Sequence, residues 1–128
     1  MAGESDIHPR YEWPDKLWFE SYEPVYGYAL VEMHVLECDF EKLKSGDQFF
    51  VVDWFYPNGR KAKEENMRHG RGSRFLEKIV EAAEGKKGVK AVYGIVSKEG
   101  MQYAPNFLLK KGFEKISENK FIMYISND

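Results

Sequence analysis

"MRHGRGSRFLEKIVEAAE", residues 67–84, sets two glycines one residue apart among arginines and then begins an amphipathic run. From Gly72 onward Phe75, Leu76, Ile79, Val80 and Ala83 recur at helical spacing, with Arg74, Glu77, Lys78 and Glu81 away from that stripe. Gly85 and Gly88 stop the run, and Lys86 and Lys87 stand near the negative end of the helix dipole. The start of this helix is bare. A helix N-terminus leaves backbone N–H groups without partners and carries about half a positive charge. An anion answers both conditions, and glycine lets its oxygens approach the backbone because no Cβ intervenes. Gly70-Arg71-Gly72-Ser73 therefore reads as a phosphate or pyrophosphate cradle, with Arg68, Arg71 and Arg74 adding charge locally. The plain alternative is a loop-to-helix junction whose glycines serve turn geometry.

Two common phosphate motifs fail on named residues. No G-x-x-x-x-G-K-[ST] run exists in the chain. The dinucleotide fingerprint needs a third glycine three residues after Gly72, where Phe75 stands, and a tight turn where a long charged loop precedes the helix.

The 128 residues suit one domain with a single core. Apolar residues make up 43% and charged residues 31%, a globular composition, and 16% aromatics point to a core or cleft rich in large side chains. The net charge of −2 argues against nucleic acid as a partner, so any basic patch is local. Cys38 is the only cysteine, which excludes an internal disulfide and reads as a small buried hydrophobe. His8, His34 and His69 lack metal-ligand spacing, and no metal site is expected. No stretch approaches the ~20 apolar residues that span a bilayer. The polar start "MAGESDIHPR" does not look like a signal peptide, so the expected location is cytoplasmic, with no membrane partner.

Around the helix the chain divides readily. Residues 1–16 contain Pro9 and Pro14 without a clear period and read as an irregular arm, leaving 17–128 as one domain. "KLWFESYE" (16–23) and "YALVEMHVLEC" (28–38) read as strands joined by a turn near Pro24 and Gly27. On the second, Glu32 and His34 share a face with Tyr28, Leu30 and Leu36, because strands repeat every two residues. "QFFVVDWFY" (48–56) is almost wholly apolar and predicts a central strand covered on both faces. The loop "RKAKEEN" (60–66) is most simply solvated; next to the glycines, it is also placed to gate a cleft. "VKAVYGIVS" (89–97) predicts a strand, Tyr103, Ala104, Phe107 and Leu108 a short helix, and residues 113–126 a closing hairpin. The order is β-β-β-α-β-α-β-β, an α/β or α+β layered domain.

"DWFYP", the loop, "MRHGRGSRFLEKI" and "NFLLKKGFEKI" together resemble the GNAT superfamily of N-acetyltransferases. That family has a strand ending near a proline, a [QR]-x-x-G-x-[GA] loop opening a helix, and a later "fYeklGF" helix end. "LWFESYEPVYGYALVE" looks like its second and third strands, so the resemblance covers residues 17–125. It implies a mixed central sheet with a splayed strand pair, and acetyl-coenzyme A (acetyl-CoA) as cosubstrate in the gap. Trp54 and Phe55, with Asp53, would follow the pantetheine through backbone atoms. Arg68, His69, Gly70, Arg71, Gly72 and Ser73 would wrap the pyrophosphate, and Phe107 and Lys110 would flank the other side. The implied reaction moves an acetyl group to an amine, on a small molecule, a protein or a peptide. The alternative is a non-catalytic CoA-binding or interaction module. The exposed final strands are compatible with a monomer or a homodimer.

Three departures stand out. Met67 takes the usual Gln or Arg position of the loop. Leu108 stands where many members carry the tyrosine taken to protonate the departing thiolate, and Met101 replaces an asparagine common at that helix start. The family also opens with a strand and one or two helices that shape the acceptor pocket, where here about 16 residues precede the second-strand equivalent. An open acceptor side suits a protein or peptide amine. Acetyl transfer also needs a base. Asp53 interrupts an apolar strand, where desolvation raises a carboxyl pKa. Glu32 and His34 are further candidates, and Tyr103 is the candidate acid. Each has an ordinary structural alternative.

Overall fold

A computed structural model describes residues 15–22, 26–58, 70–97 and 104–126, and the backbone of residues 8–13. Among these described residues seven strands and two helices follow in order: β1 His8–Trp13, β2 Lys16–Ser21, β3 Gly27–Val35, β4 Gln48–Tyr56, α1 Arg71–Glu84, β5 Val89–Ile95, α2 Ala104–Lys110, β6 Glu114–Ser117 and β7 Lys120–Tyr124. The strands form one sheet in the order β1-β2-β3-β4-β5-β7-β6. All neighbours are antiparallel except β4 and β5. A parallel pair needs a long crossover. The amphipathic run after the glycines supplies it as α1.

One strand precedes those expected. The irregular arm assigned to residues 1–16 contains β1, which pairs with β2 from His8↔Glu20 to Trp13↔Lys16. Proline hid it: Pro9 borders a slip in register, and β1 is an edge strand, where a missing N–H is tolerated. Only residues 14 and 15 separate β1 from β2, so no helix fits between them. The third strand also ends earlier than its composition implies, at Val35.

The main core lies on one face of the sheet. Leu17, Phe19, Ala29, Val31 and Phe50 meet the α1 stripe of Phe75, Leu76, Ile79 and Ala83, and Phe107 and Leu108 of α2 pack against the same cluster. Each large apolar side chain buried there contributes about 1.5–3 kcal/mol. On the second face Leu43, from the loop after β3, packs with Ala91 and Ile122 over the β5–β7 side. Over β2–β4 no layer covers that face among the described residues. This corrects the expectation for β4. It is central, but only Phe50 is fully buried, and Asp53 and Trp54 are exposed.

Gly27, at the start of β3, ties the far end of the sheet to α1. A Cβ built there would lie 2.1 Å from the Pro57 carbonyl oxygen and 2.9 Å from an Arg71 guanidinium nitrogen. Gly27→Ala is therefore expected to destabilise the domain by about 1–3 kcal/mol through backbone displacement. Urea denaturation against wild type reads this directly; an unchanged midpoint would show the approach to be slack.

Candidate functional site

The site begins where a pairing ends. β4 and β5 are registered from Gln48↔Val89 to Val52↔Gly94, yet β4 continues to Tyr56. Residues 54–56 thus keep their β3 partners but, like Asp53, leave β5. The same point carries a bulge on the other side of β4: Val31 pairs with Val52 and Leu30 with Trp54, leaving Asp53 as the extra residue. A bulge re-aims a side chain and breaks the ladder locally.

α1 brings its N-terminus to this open end. The Arg71 Nε donates to the Pro57 carbonyl at 2.8 Å, and Gly72 lies close enough that an added Cβ would sit 3.8 Å from the Pro57 ring. Gly70 caps the helix at φ 78°, and no side chain caps it. Among the described residues no acceptor meets the backbone N–H of Gly72 or Ser73. The two glycines differ in purpose. Gly70 occupies the left-handed region that disfavours a Cβ. Gly72 has ordinary helical geometry, and a Cβ there would make only van der Waals contact, 3.5 Å from the Phe107 ring. Nothing among the described residues demands a glycine at 72.

The predicted cradle residues are therefore only partly placed as expected. Gly70, Gly72 and Ser73 line the turn and Phe107 lies beside it. Arg71 departs. Its side chain is 2% exposed, turned inward to the Pro57 carbonyl, 3.5 Å from the Ser21 hydroxyl and over the Phe75 ring at 5.8 Å. It braces the junction and adds no side-chain charge to a cradle. Lys110 is exposed at the end of α2. Phe55 packs into the core edge-on to Phe75, and the Trp54 indole lies on the opposite face, so both leave only backbone toward the opening. Arg68, His69 and Tyr103 lie outside the described residues, as do Met67, Met101 and the loop 60–66.

Three proposed acid–base residues converge. Glu32 and His34 sit on the second face of β3, with His34 Nε2 3.2 Å from Glu32 Oε1. Asp53 faces Glu32 from the bulge. Its carboxyl pKa is raised, first by desolvation and then by hydrogen bonding and charge repulsion from Glu32; Lys16 and His34 oppose the shift. Lys16 is directly across β2–β3 from Glu32. The group can hold or release a proton.

Sequence reasoning missed an aromatic field beside this group. Trp18 and Glu20 of β2, Tyr28 of β3, and Trp54 and Tyr56 of β4 share the second face. The Tyr28 ring is stacked on Trp18 at 5.2 Å and on Tyr26 at 5.5 Å, with Tyr56 at 5.3 Å and Trp54 at 6.4 Å. Glu20, 6% exposed, accepts hydrogen bonds from Trp18 Nε1, Tyr22 Oη and Tyr26 Oη at 3.1, 3.1 and 2.9 Å. Burial and then this carboxylate push the Tyr26 phenol up to about 12. The alternation of Trp18, Glu20 and Tyr28 against Leu17, Phe19 and Ala29 was the available signal.

No protein-family description matches the sequence, and no curated protein matches it. Solved structures do. An Arabidopsis thaliana NAA60 in complex with a bisubstrate analogue superposes with a TM-score of 0.68 at 10% identity, over 89% of this chain and 78% of that one. The same protein in complex with acetyl-CoA gives 0.62 at 13%, over 91% and 82%. N-acetylglutamate synthase from Neisseria gonorrhoeae, complexed with coenzyme A and L-arginine, gives 0.54 at 14%, over 92% of this chain and 27% of that one. The chain has the GNAT acyltransferase fold. The predicted fold class stands, with β1 added. Leu108 is partly buried against the main core.

Two outcomes test the site. Gly70→Ala should lower stability by about 1 kcal/mol, whereas Gly72→Ala should leave the thermal midpoint unchanged or raise it; equal losses would erase the distinction between the glycines. Asp53 carries the second. A carboxyl pKa raised by folding means that the native state binds its proton more tightly, so stability falls as pH rises through that range. Asp53→Asn should melt at or above wild type at neutral pH, with the difference closing below the ordinary value of 3.8. A neutral-pH loss would show instead that the carboxylate stabilises the bulge.

Proposed function

We propose that the chain is a GNAT-superfamily N-acetyltransferase that moves an acetyl group from acetyl-CoA to an amine, with an amine on a protein or peptide as acceptor. The observation that carries this is the pairing of an uncapped helix start, bare at a Gly72 that no described neighbour requires, with the parted end of β4. Solved neighbours of this fold hold acetyl-CoA or coenzyme A, which supports the same cosubstrate here.

The residues fit that cosubstrate. The amides of Gly70, Gly72 and Ser73 would hold the pyrophosphate, with Arg68 and His69 assigned there from sequence. The backbone of residues 53–56 would hold the pantetheine arm, and the Phe107 ring would close the side over Gly72. When bound, acetyl-CoA supplies an activated acyl group on a thiol of pKa about 8.5, a tolerable leaving group without a tyrosine at 108.

The amine must arrive without its proton. Asp53, with its raised pKa, Glu32 beside it and His34 bonded to Glu32, can accept that proton and pass it along the face. Tyr103 keeps its place as candidate acid. Leu108 favours one other reading, a CoA-binding module without turnover. An open second face over β2–β4 supports a macromolecular acceptor over a small enclosed one. The expectations of a cytoplasmic location, and of a monomer or homodimer, join this reading.

Purified protein with acetyl-CoA and a panel of amines and peptides separates the readings. Acceptor-dependent thiol release is expected. Tight CoA binding without turnover would establish the module, and no CoA binding would remove both. Asp53→Asn should lower turnover about tenfold or more below the pH optimum, where the amine is still protonated, and less above it. An unchanged pH–rate profile would take Asp53 out of the mechanism. Gly72→Glu should abolish CoA binding and remain folded.

A further inference from the structure

We propose that Gly94 opens a seat for the acyl chain of a coenzyme A thioester, so that the donors extend beyond acetyl to short unbranched acyl groups such as butyryl. The proposal rests on the acetyltransferase reading for the coenzyme and deepens it by naming the donor class.

A glycine inside a strand weakens it, and marks a bulge, a bend, or a place where a backbone or a ligand comes close. Gly94 stands inside β5, paired on both sides, with Val52 of β4 and Phe121 of β7. The β5–β7 ladder runs from Ala91↔Tyr124 to Ile95↔Lys120 without a slip, and the β4–β5 slip lies at the other end, between Gln48 and Phe49. A bulge and a sharp bend are thereby excluded at 94. Its backbone is outside the left-handed region, unlike that of Gly46, Gly70 and Gly112. Nor does the described backbone crowd it. A Cβ built at Gly94 would meet nothing within 4 Å among the described residues, whereas one at Gly27 would strike the Pro57 carbonyl. Gly94 also stays partly exposed between its two partner strands. Of the reasons for a strand glycine, the approach of a ligand is the one left.

The position says which part of the ligand. Gly94 and Val52 form the last rung of the parallel ladder, at the vertex of the gap. A pyrophosphate at Gly70–Ser73 and a pantetheine arm along residues 53–56 bring the sulfur to that vertex, where only the acyl group remains to be placed. Residues directly across a ladder share a face. Phe121 and Val52 belong to the main core, so the space at 94 opens on the helix side of the sheet. There Val52, Phe55 and Val96 are partly buried against that core, and Phe121 is fully buried. This hydrocarbon lining suits an alkyl chain and penalises a polar one. Carbon contacts are optimal at about 3.5–4.0 Å, so the clearance admits a carbon atom with room beyond it. Asp53 and Glu32 stand on the opposite face. The amine comes from that face while the acyl chain extends to the other. Its nitrogen bonds to the thioester carbonyl carbon, the C–S bond breaks with its electron pair on sulfur, and the surplus proton of the amine goes to Asp53.

The test is isothermal titration of the full chain with coenzyme A, acetyl-CoA and butyryl-CoA. Each buried methylene contributes about fourfold in affinity, so butyryl-CoA is expected to bind on the order of tenfold more tightly than acetyl-CoA. Gly94→Val should bring that ratio to about one, because its side chain occupies the seat. Gly94→Ala should keep or raise the thermal midpoint and cut the ratio about threefold. Circular dichroism melts verify folding; should Gly94→Val fail to fold, Gly94→Ala decides. A butyryl preference that persists in folded Gly94→Val, or a lower midpoint in Gly94→Ala, would overturn the proposal. Thioesters bound by wild type without preference for the longer chain would remove the seat and leave acetyl transfer standing. No binding of any of the three would remove both.

Discussion

The parallel ladder between β4 and β5 stops at Val52 and Gly94, four residues before β4 itself ends. The rest of the molecule is arranged around that stop. A strand that leaves one neighbour while keeping the other has backbone groups turned toward a gap. α1 crosses from the end of β4 to the start of β5, so its N-terminus and its field necessarily arrive beside the gap. The Arg71 guanidinium, inside the fold, fastens that arrival to the Pro57 carbonyl and the Ser21 hydroxyl. The charge that the sequence offers to a ligand is used at this position to hold the helix in place.

Much of this was legible beforehand. The apolar run 48–56 is the strand its composition implies, and the stripe Phe75, Leu76, Ile79 and Ala83 is the buried side of α1. Periodicity reports which residues must leave water, so it finds a helix packed on a sheet well. It reports poorly on what covers the other face, which is why β4 reads as doubly buried when its second face is open. β1 escaped because two prolines masked a short edge strand that depends on β2.

The site was half legible. Asp53, Glu32 and His34 are separate candidates in the sequence and become one group only through the β3–β4 register, including a bulge with no local sequence mark. The role of Gly70 follows from its dihedral angle, and the freedom at Gly72 only from its surroundings. The buried turn of Arg71 was not available from sequence, because a basic residue beside glycines looks the same whether it points out or in. The aromatic field had a signal, period-two placement of Trp18 and Tyr28, but Tyr22 and Tyr26 join it through the hairpin between β2 and β3.

The two faces of the sheet thus divide the work. One is closed by α1 and α2 and holds the fold. The other meets solvent across β2–β4 with carboxylates and rings. The most direct test of the account is a backbone amide NMR titration of the uniformly labelled protein with coenzyme A. The largest shifts should fall on Gly70, Gly72, Ser73 and residues 53–56, with the strands β6 and β7 unmoved. Saturable binding that leaves those amides in place would contradict it.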